Sequence, residues 1–266
     1  MSVHMAYRFS MQRNSRLIVA VLVATAAAAA GCATDDTGST PSSVRTEIST
    51  TVMTTTVTSP PSSPSTSTQA VSGYVGTLVP TRGGTETTTF DVNLPQVTGG
   101  QAPVRERFNT GMRSALTDVV NQLSDATVSD GTLLGDERSR VTTTTQQVVA
   151  GVAIFSTYGR GAAHPNNTVA TITINADTAQ PILLSEVFTD QNAAAARLAA
   201  SVNRIDSRAN PVAADINNFA NWVPLQSGFH VYVPVSHAAG DYLPVTVPWN
   251  EIADLMKPGM QVVLAG

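Results

Sequence analysis

From Val148 to Tyr158 the chain reads Val-Val-Ala-Gly-Val-Ala-Ile-Phe-Ser-Thr-Tyr, β-branched and aromatic with no polar alternation. Such a run is a strand that leaves little solvent on either face, so the fold must supply cover on both sides. Val169 to Ile174 alternates instead, with Ala170, Ile172 and Ile174 on one side and Thr171 and Thr173 on the other. The two segments are expected to pair. Between them lies the corner Tyr158-Gly159-Arg160-Gly161-Ala162-Ala163-His164-Pro165-Asn166. Its glycines can take positive φ and its proline biases His164 to an extended backbone, which predicts a shaped corner rather than a loose one.

The two ends of the chain set its organisation. Residues 1–31 carry Arg8, Arg13 and Arg16 without any acid, then an apolar run from Leu17 to Ala30, then Gly31-Cys32. This is the pattern of an export signal, too short in its apolar part for a spanning helix of about 20 residues. Ala29-Ala30-Gly31-Cys32 resembles a bacterial lipoprotein site, which predicts lipidation of Cys32 and a membrane attachment through it. Removing residues 1–31 takes away three arginines and no acid, so 12 basic against 19 acidic groups leave −7. Residues 32–70 are dominated by Ser, Thr and Pro and lack the apolar side chains that offset ordering entropy, so they read as a disordered tether. Residues 71–266 remain for one folded domain. Cys32 is the only cysteine, which rules out an intramolecular disulfide and a thiolate zinc site.

Within that domain, strands are expected from Val71 to Pro80 and from Thr87 to Leu94, closed by Pro95, with Arg82-Gly83-Gly84 as the turn. Val104, Phe108, Met112, Leu116, Val119, Val120 and Leu123 recur at helical spacing and predict an amphipathic helix lying on the sheet. A Thr-rich strand from Arg138 to Gln147 leads into the central strand. Ala193 to Ile205 predicts a second helix with Leu198, Val202 and Ile205 inward, followed by irregular surface from Asp206 to Asn221. Strands at Phe229 to Val235 and Leu243 to Val247, a short helix from Trp249 to Met256 and a closing strand from Gln261 to Leu264 complete the chain. The fold class is α+β, a mainly antiparallel sheet with two or three helices packed on it.

The central strand, the Gly-Ala-Ala-His-Pro-Asn corner, the strand ending in Asn175-Ala176-Asp177 and the Leu183-Leu184-Ser185-Glu186-Val187-Phe188 turn together resemble the RsiV-type extracytoplasmic domain of unknown function. Gly228-Phe229-His230-Val231-Tyr232-Val233, Ala239-Gly240 and Val245-Thr246-Val247-Pro248-Trp249 are similar to that family's closing strands, and the resemblance covers roughly residues 71–264. The family includes the outer domain of a lysozyme-sensing anti-sigma factor, extensions on some envelope polysaccharide deacetylases and a secreted mycobacterial antigen. It implies the fold and an association with the cell wall, without a shared activity.

Chemistry-bearing residues are few. His164 is foremost a holder of the corner, with binding or general-base roles as alternatives. His230 reads as a sheet rim residue, and Tyr232 and Trp249 as core or rim aromatics. His230 and His237 would need a distant carboxylate such as Asp241 to form a metal site, so no metal and no cofactor is expected. Ser156, His164 and Asp177 are the residues from which a triad could be imagined, but no nucleophile motif supports it. Gly159 to His164 lacks the third glycine and the following helix of a dinucleotide site. Glu186 is expected to pair with Arg160, and Asp177 to form a turn with Ala176.

Tyr158, Arg160, His164 and Asn166 are the candidate ligand-binding residues, because they combine an aromatic face, a guanidinium, an imidazole and an amide on one corner. With 13% charged residues and Lys257 the sole lysine, nucleic acid is not an expected partner. The expected function is that of a lipid-anchored envelope protein on the extracytoplasmic face of the membrane, non-catalytic, binding wall glycan or a glycan-cleaving protein such as lysozyme. The alternative is an envelope esterase or glycan deacetylase using His164.

Overall fold

The computed structural model describes residues 73–209 and 211–266, so the export signal, Cys32 and the tether lie outside the described residues. The elements run β1 (Val75–Gly84), β2 (Thr88–Thr98), α1 (Ala102–Asn121), β3 (Ala126–Asp130), β4 (Arg140–Thr144), β5 (Val148–Gly159), β6 (Asn166–Asn175), α2 (Leu184–Val187), α3 (Gln191–Ile205), β7 (Trp222–Leu225), β8 (Gly228–Pro234), β9 (Tyr242–Pro248) and α4 (Met260–Ala265). Strands β1 to β6 form a six-stranded sheet and β7 to β9 a three-stranded antiparallel one. The fold is α+β and mostly sheet, as its composition and periodicity predict.

Strand β5 is the axis of the larger sheet. Along one edge it pairs with β6 over all but its last two residues, from Val148↔Asn175 to Thr157↔Asn166. Along the other edge it meets β4 with its first half and β3 with its second. Val148, Ala150, Val152 and Ile154 point into a core shared with α3 and β7 to β9. Val149, Ala153 and Phe155 point into a second core under α1. This is why the sequence of β5 does not alternate: both sides are covered, as they are in a central layer. On β6, Ala170, Ile172 and Ile174 do share the α1 side, while Thr171 on the other side accepts a hydrogen bond from the Trp222 amide at 3.1 Å.

Helix α1 buries Val104, Phe108, Met112, Leu116, Val119 and Val120, the expected stripe. Its approach is set by Gly151, where an added Cβ would come within 2.8 Å of Phe108 Cζ and 3.0 Å of the Arg140 carbonyl oxygen. A side chain there would push the helix off the sheet. Helix α3 is capped by Asp190, whose carboxylate accepts from the Asn192 and Ala193 amides. It buries Leu198 and Val202, but Ile205 at its last turn is 41% exposed, contrary to the inward placement expected for it.

Several boundaries differ from the sequence expectation, each for a local reason. Strand β2 runs through Pro95 to Thr98, because β3 pairs with β2 only from Thr88 to Asp91 and beyond that the far edge has no ladder for a proline to break. Arg82, Gly83 and Gly84 lie within β1, where Arg82 pairs with Asp91 at 3.0 Å, and the turn falls at residues 85–87. Strands β3 and β7 were not expected. β3 forms the parallel step of the sheet, and Trp222 and Val223 of β7 are buried. Phe219, in the stretch read as irregular surface, is fully buried in a short 3-10 turn. Trp249 to Leu255 makes two 3-10 turns rather than a helix. The Gln261 to Leu264 run is helical: Met260, Val263 and Leu264 face the core at helical spacing and Val262 is 68% exposed.

Phe108 has no exposed surface and fills the space that Gly151 leaves. Phe108→Ala is therefore expected to lower unfolding free energy by about 3–5 kcal/mol in chemical denaturation, the cost of an aromatic-sized void.

Candidate functional site

The β5–β6 corner is tightly made. The Arg160 amide extends the β3 ladder by donating to the Asp125 carbonyl at 2.7 Å, Ala162 N donates to Gly159 O at 3.0 Å, and Gly161 takes φ +81°. Tyr158, 43% exposed, follows Ile154 at even spacing and so lies on the sheet side that carries β7 to β9, with Arg160 two residues on. Asn166 is paired with Thr157, on the α1 side. The structure thus groups Tyr158 and Arg160 and sets Asn166 on the opposite face, where its main-chain carbonyl accepts from the Thr157 hydroxyl at 3.1 Å.

His164 does not hold the corner through loop carbonyls; its nearest is Pro165 O at 3.4 Å, at the limit of a hydrogen bond. Instead its ring stacks on His237, from the turn between β8 and β9, with centroids 3.6 Å apart and an 8° angle between planes. His237 Nδ1 lies 2.8 Å from Asp241 Oδ1. The other oxygen of Asp241 accepts the Asn167 main-chain N–H at 2.7 Å. One carboxylate therefore joins the start of β6 to the β8–β9 turn, and the imidazole stack closes the same gap from outside. Asp241 reaches this position with φ +68°, after Gly240 at +99°. The left-handed region is uncommon for a residue with a Cβ, and aspartate is among those that tolerate it. Nothing in the spacing of His164 and His237 signals this contact, because it joins segments paired through different sheets.

The arrangement argues against metal binding by these groups. Two parallel imidazoles keep their in-plane lone pairs in separate parallel planes, whereas zinc needs nitrogens converging on one point at about 2.0–2.1 Å. Among the described residues no group of three His, Cys, Asp or Glu side chains could hold a metal ion. The imagined triad is not assembled either. Asp177 lies past the far end of β6, a 10-residue strand away from His164, about 30 Å at strand rise. The turn there is built by Asn175 Oδ1, which accepts from the Asp177 and Thr178 amides, rather than by Asp177. Glu186 is not paired with Arg160; its carboxylate accepts the Leu183 amide at 2.9 Å and caps α2.

A second polar cluster is buried between the sheets. His230 and Tyr232 share one side of β8; His230 is 7% exposed rather than on a rim, and Tyr232 is fully buried. The Tyr232 hydroxyl donates to Glu137 Oε1 at 2.6 Å, and Arg140 pairs with the same oxygen. His230 Nδ1 is 2.8 Å from Thr246 Oγ1 on β9, and its Nε2 is 3.8 Å from Glu137 Oε1. Burial, opposed in part by the Glu137 charge, lowers the His230 pKa to about 4, and burial together with Glu137 raises that of Tyr232. Glu137 and Arg140 escape sequence reasoning because Glu137 lies outside every expected element and Arg140 falls at the start of the expected Thr-rich strand, where neither charge signals a buried partner. Beside the β8–β9 turn, a cleft of about 250 Å³ is lined by Arg208, Val212, Asn218, Pro234, Ser236 and Ala239. Its one cation is already paired with Asp206.

The architecture is that of an α+β protein in which a long central hairpin is covered by a helix on one side and a small sheet on the other. In fold it is similar to the crystal structure of a DUF3298 family member from Bacteroides fragilis, at 9% identity and a TM-score of 0.52, over 73% of this chain and 97% of that one. A DUF3298 family protein from Pseudomonas aeruginosa matches at 12% identity and a TM-score of 0.47, over 71% of this chain and 96% of that one. No family model matches the sequence, and no curated protein is similar to it in sequence.

Asp241→Ala removes the Asn167 bond that joins the corner to the β8–β9 turn and the contact that holds the His237 ring within that turn, while Asp241→Asn keeps an acceptor oxygen. The alanine variant is expected to lose about 1–3 kcal/mol in urea denaturation, and the asparagine variant less. Amide exchange at Asn167 should accelerate in the alanine variant.

Proposed function

We propose that this is a lipid-anchored protein of the cell envelope, attached through Cys32 on the extracytoplasmic face, whose α+β domain is a non-catalytic binding module for wall glycan or a glycan-cleaving protein such as lysozyme. The RsiV-type resemblance of the central hairpin supports an envelope role, and the signal ending at Gly31-Cys32 supports the anchor. The observation that carries the binding role is the exposed pair Tyr158 and Arg160 on a corner fixed by the Asp125 carbonyl on one side and by Asp241 on the other. A recognition surface already held in place loses little entropy on binding. An aromatic and an arginine are the residue types that most often dominate contact energy. The stacked His164 and His237 rings are a further exposed feature of the same corner.

The test is capture of wall fragments and of lysozyme by the full chain. Tyr158→Ala and Arg160→Ala should each weaken capture by tenfold or more, about 1.4 kcal/mol, with melting unchanged. Cys32→Ala should move the protein from the membrane fraction to the medium, because stable attachment needs the acyl chains. The rival reading, an esterase or glycan deacetylase using His164, requires turnover of ester or N-acetyl substrates that disappears in His164→Ala without loss of fold. Such turnover would replace the binding reading.

A further inference from the structure

We propose that Glu137, Arg140, Tyr232 and His230 form an acid-released latch that fastens the three-stranded sheet to the six-stranded one. The cluster joins segments from separate sheets. Glu137 belongs to the connection between β3 and β4, which is itself fixed to β5: Gly131 N donates to Ile154 O at 2.9 Å, and the Ser139 hydroxyl accepts from Ile154 N at 2.8 Å and donates to Ile154 O at 3.2 Å. Tyr232 and His230 come from β8, and Thr246 from β9. One carboxylate oxygen thus receives the β8 phenol and the β4 guanidinium, in a site where the Glu137 side chain is 14% exposed.

His230 is the weak member. Its Nε2 is buried without a hydrogen-bond partner, facing Glu137 Oε1 across 3.8 Å, too far for a hydrogen bond and close enough to feel the charge. The charged and titratable groups that face its ring are Glu137 from the β3–β4 connection, Arg140 from β4 and Tyr232 from β8 itself, the last with ring centroids 4.8 Å away at 83°. A proton on the ring would place a charge in a buried site, and Glu137, whose Oε1 already takes Tyr232 and Arg140, offsets that burial only in part. The closed arrangement therefore disfavours the proton, and the sign follows. With the pKa of His230 lowered from 6.5 to about 4 in the closed form, an open form binds a proton that the closed form does not as pH falls between those values. The latch holds at full strength above about pH 6.5 and weakens down to about pH 4. The core under α1 contains none of these groups, so its sheet and helix are not released with it.

Hydrogen exchange on the full chain, corrected for intrinsic rates, reads this directly. Between pH 7 and pH 4, protection of the Val231 and Val233 amides should fall by about 100-fold, less than the full pKa difference because the closed form is itself half protonated at pH 4. Phe108 and Met112 amides should fall far less. In His230→Gln, which keeps a polar side chain and cannot titrate, the pH dependence at β8 should vanish. The variant's own fold is checked at pH 7 by the protection of α1. Equal loss of protection at β8 and α1 in the parent, no loss at β8, or the same pH dependence in His230→Gln would each overturn the latch.

Discussion

Burial of β5 on both faces is the constraint on which the structure depends. A strand with Val148, Ala150, Val152 and Ile154 on one side and Val149, Ala153 and Phe155 on the other cannot be satisfied by one layer of cover. It requires α1 below and the β7 to β9 sheet with α3 above. Water is excluded from both sides of this one strand, and each core is built on alternate residues of the same backbone. At Gly151 α1 comes down on the strand itself, with no room for a side chain between them.

From this axis the corner follows. β5 and β6 project together past the cores, and their tip would be a long hairpin with its own freedom if nothing met it. It is met twice. The Asp125 carbonyl takes the Arg160 amide, and Asp241 takes the Asn167 amide and the His237 ring. The tip is therefore an extension of the packed body, and its exposed Tyr158 and Arg160 are presented at fixed positions. Asp241 accepts a left-handed backbone to make those bonds, a local cost of about 1–3 kcal/mol that two charge-assisted hydrogen bonds offset.

Much of this was legible in the sequence, and the rest was hidden for identifiable reasons. The β5–β6 pair, α1 and α3 carry their periodicity openly, because each has a continuous covered face. β7 is four residues long and β3 five, too short for a period to declare itself, and the helical end of the chain is masked by the β-branched Val262 and Val263. At the corner, residue types showed where an unusual turn lay, but not that Asn166 faces away from Tyr158, which depends on register. The His164–His237 stack and the Glu137 cluster are contacts between distant segments. Sequence spacing carries no trace of them, and nothing about Glu137 or Arg140 as charges in the sequence points to β8 lying across them.

The central claim is that the β5–β6 tip is a rigid, preformed surface rather than a mobile loop. Backbone order parameters of residues 159–164 and 166 from ¹⁵N relaxation test it most directly. Values of about 0.85 along the tip, equal to those of the β5 interior, are what the Asp125 and Asp241 contacts predict. Values below about 0.6 would contradict it, and with it the reading of Tyr158 and Arg160 as a preorganised binding surface.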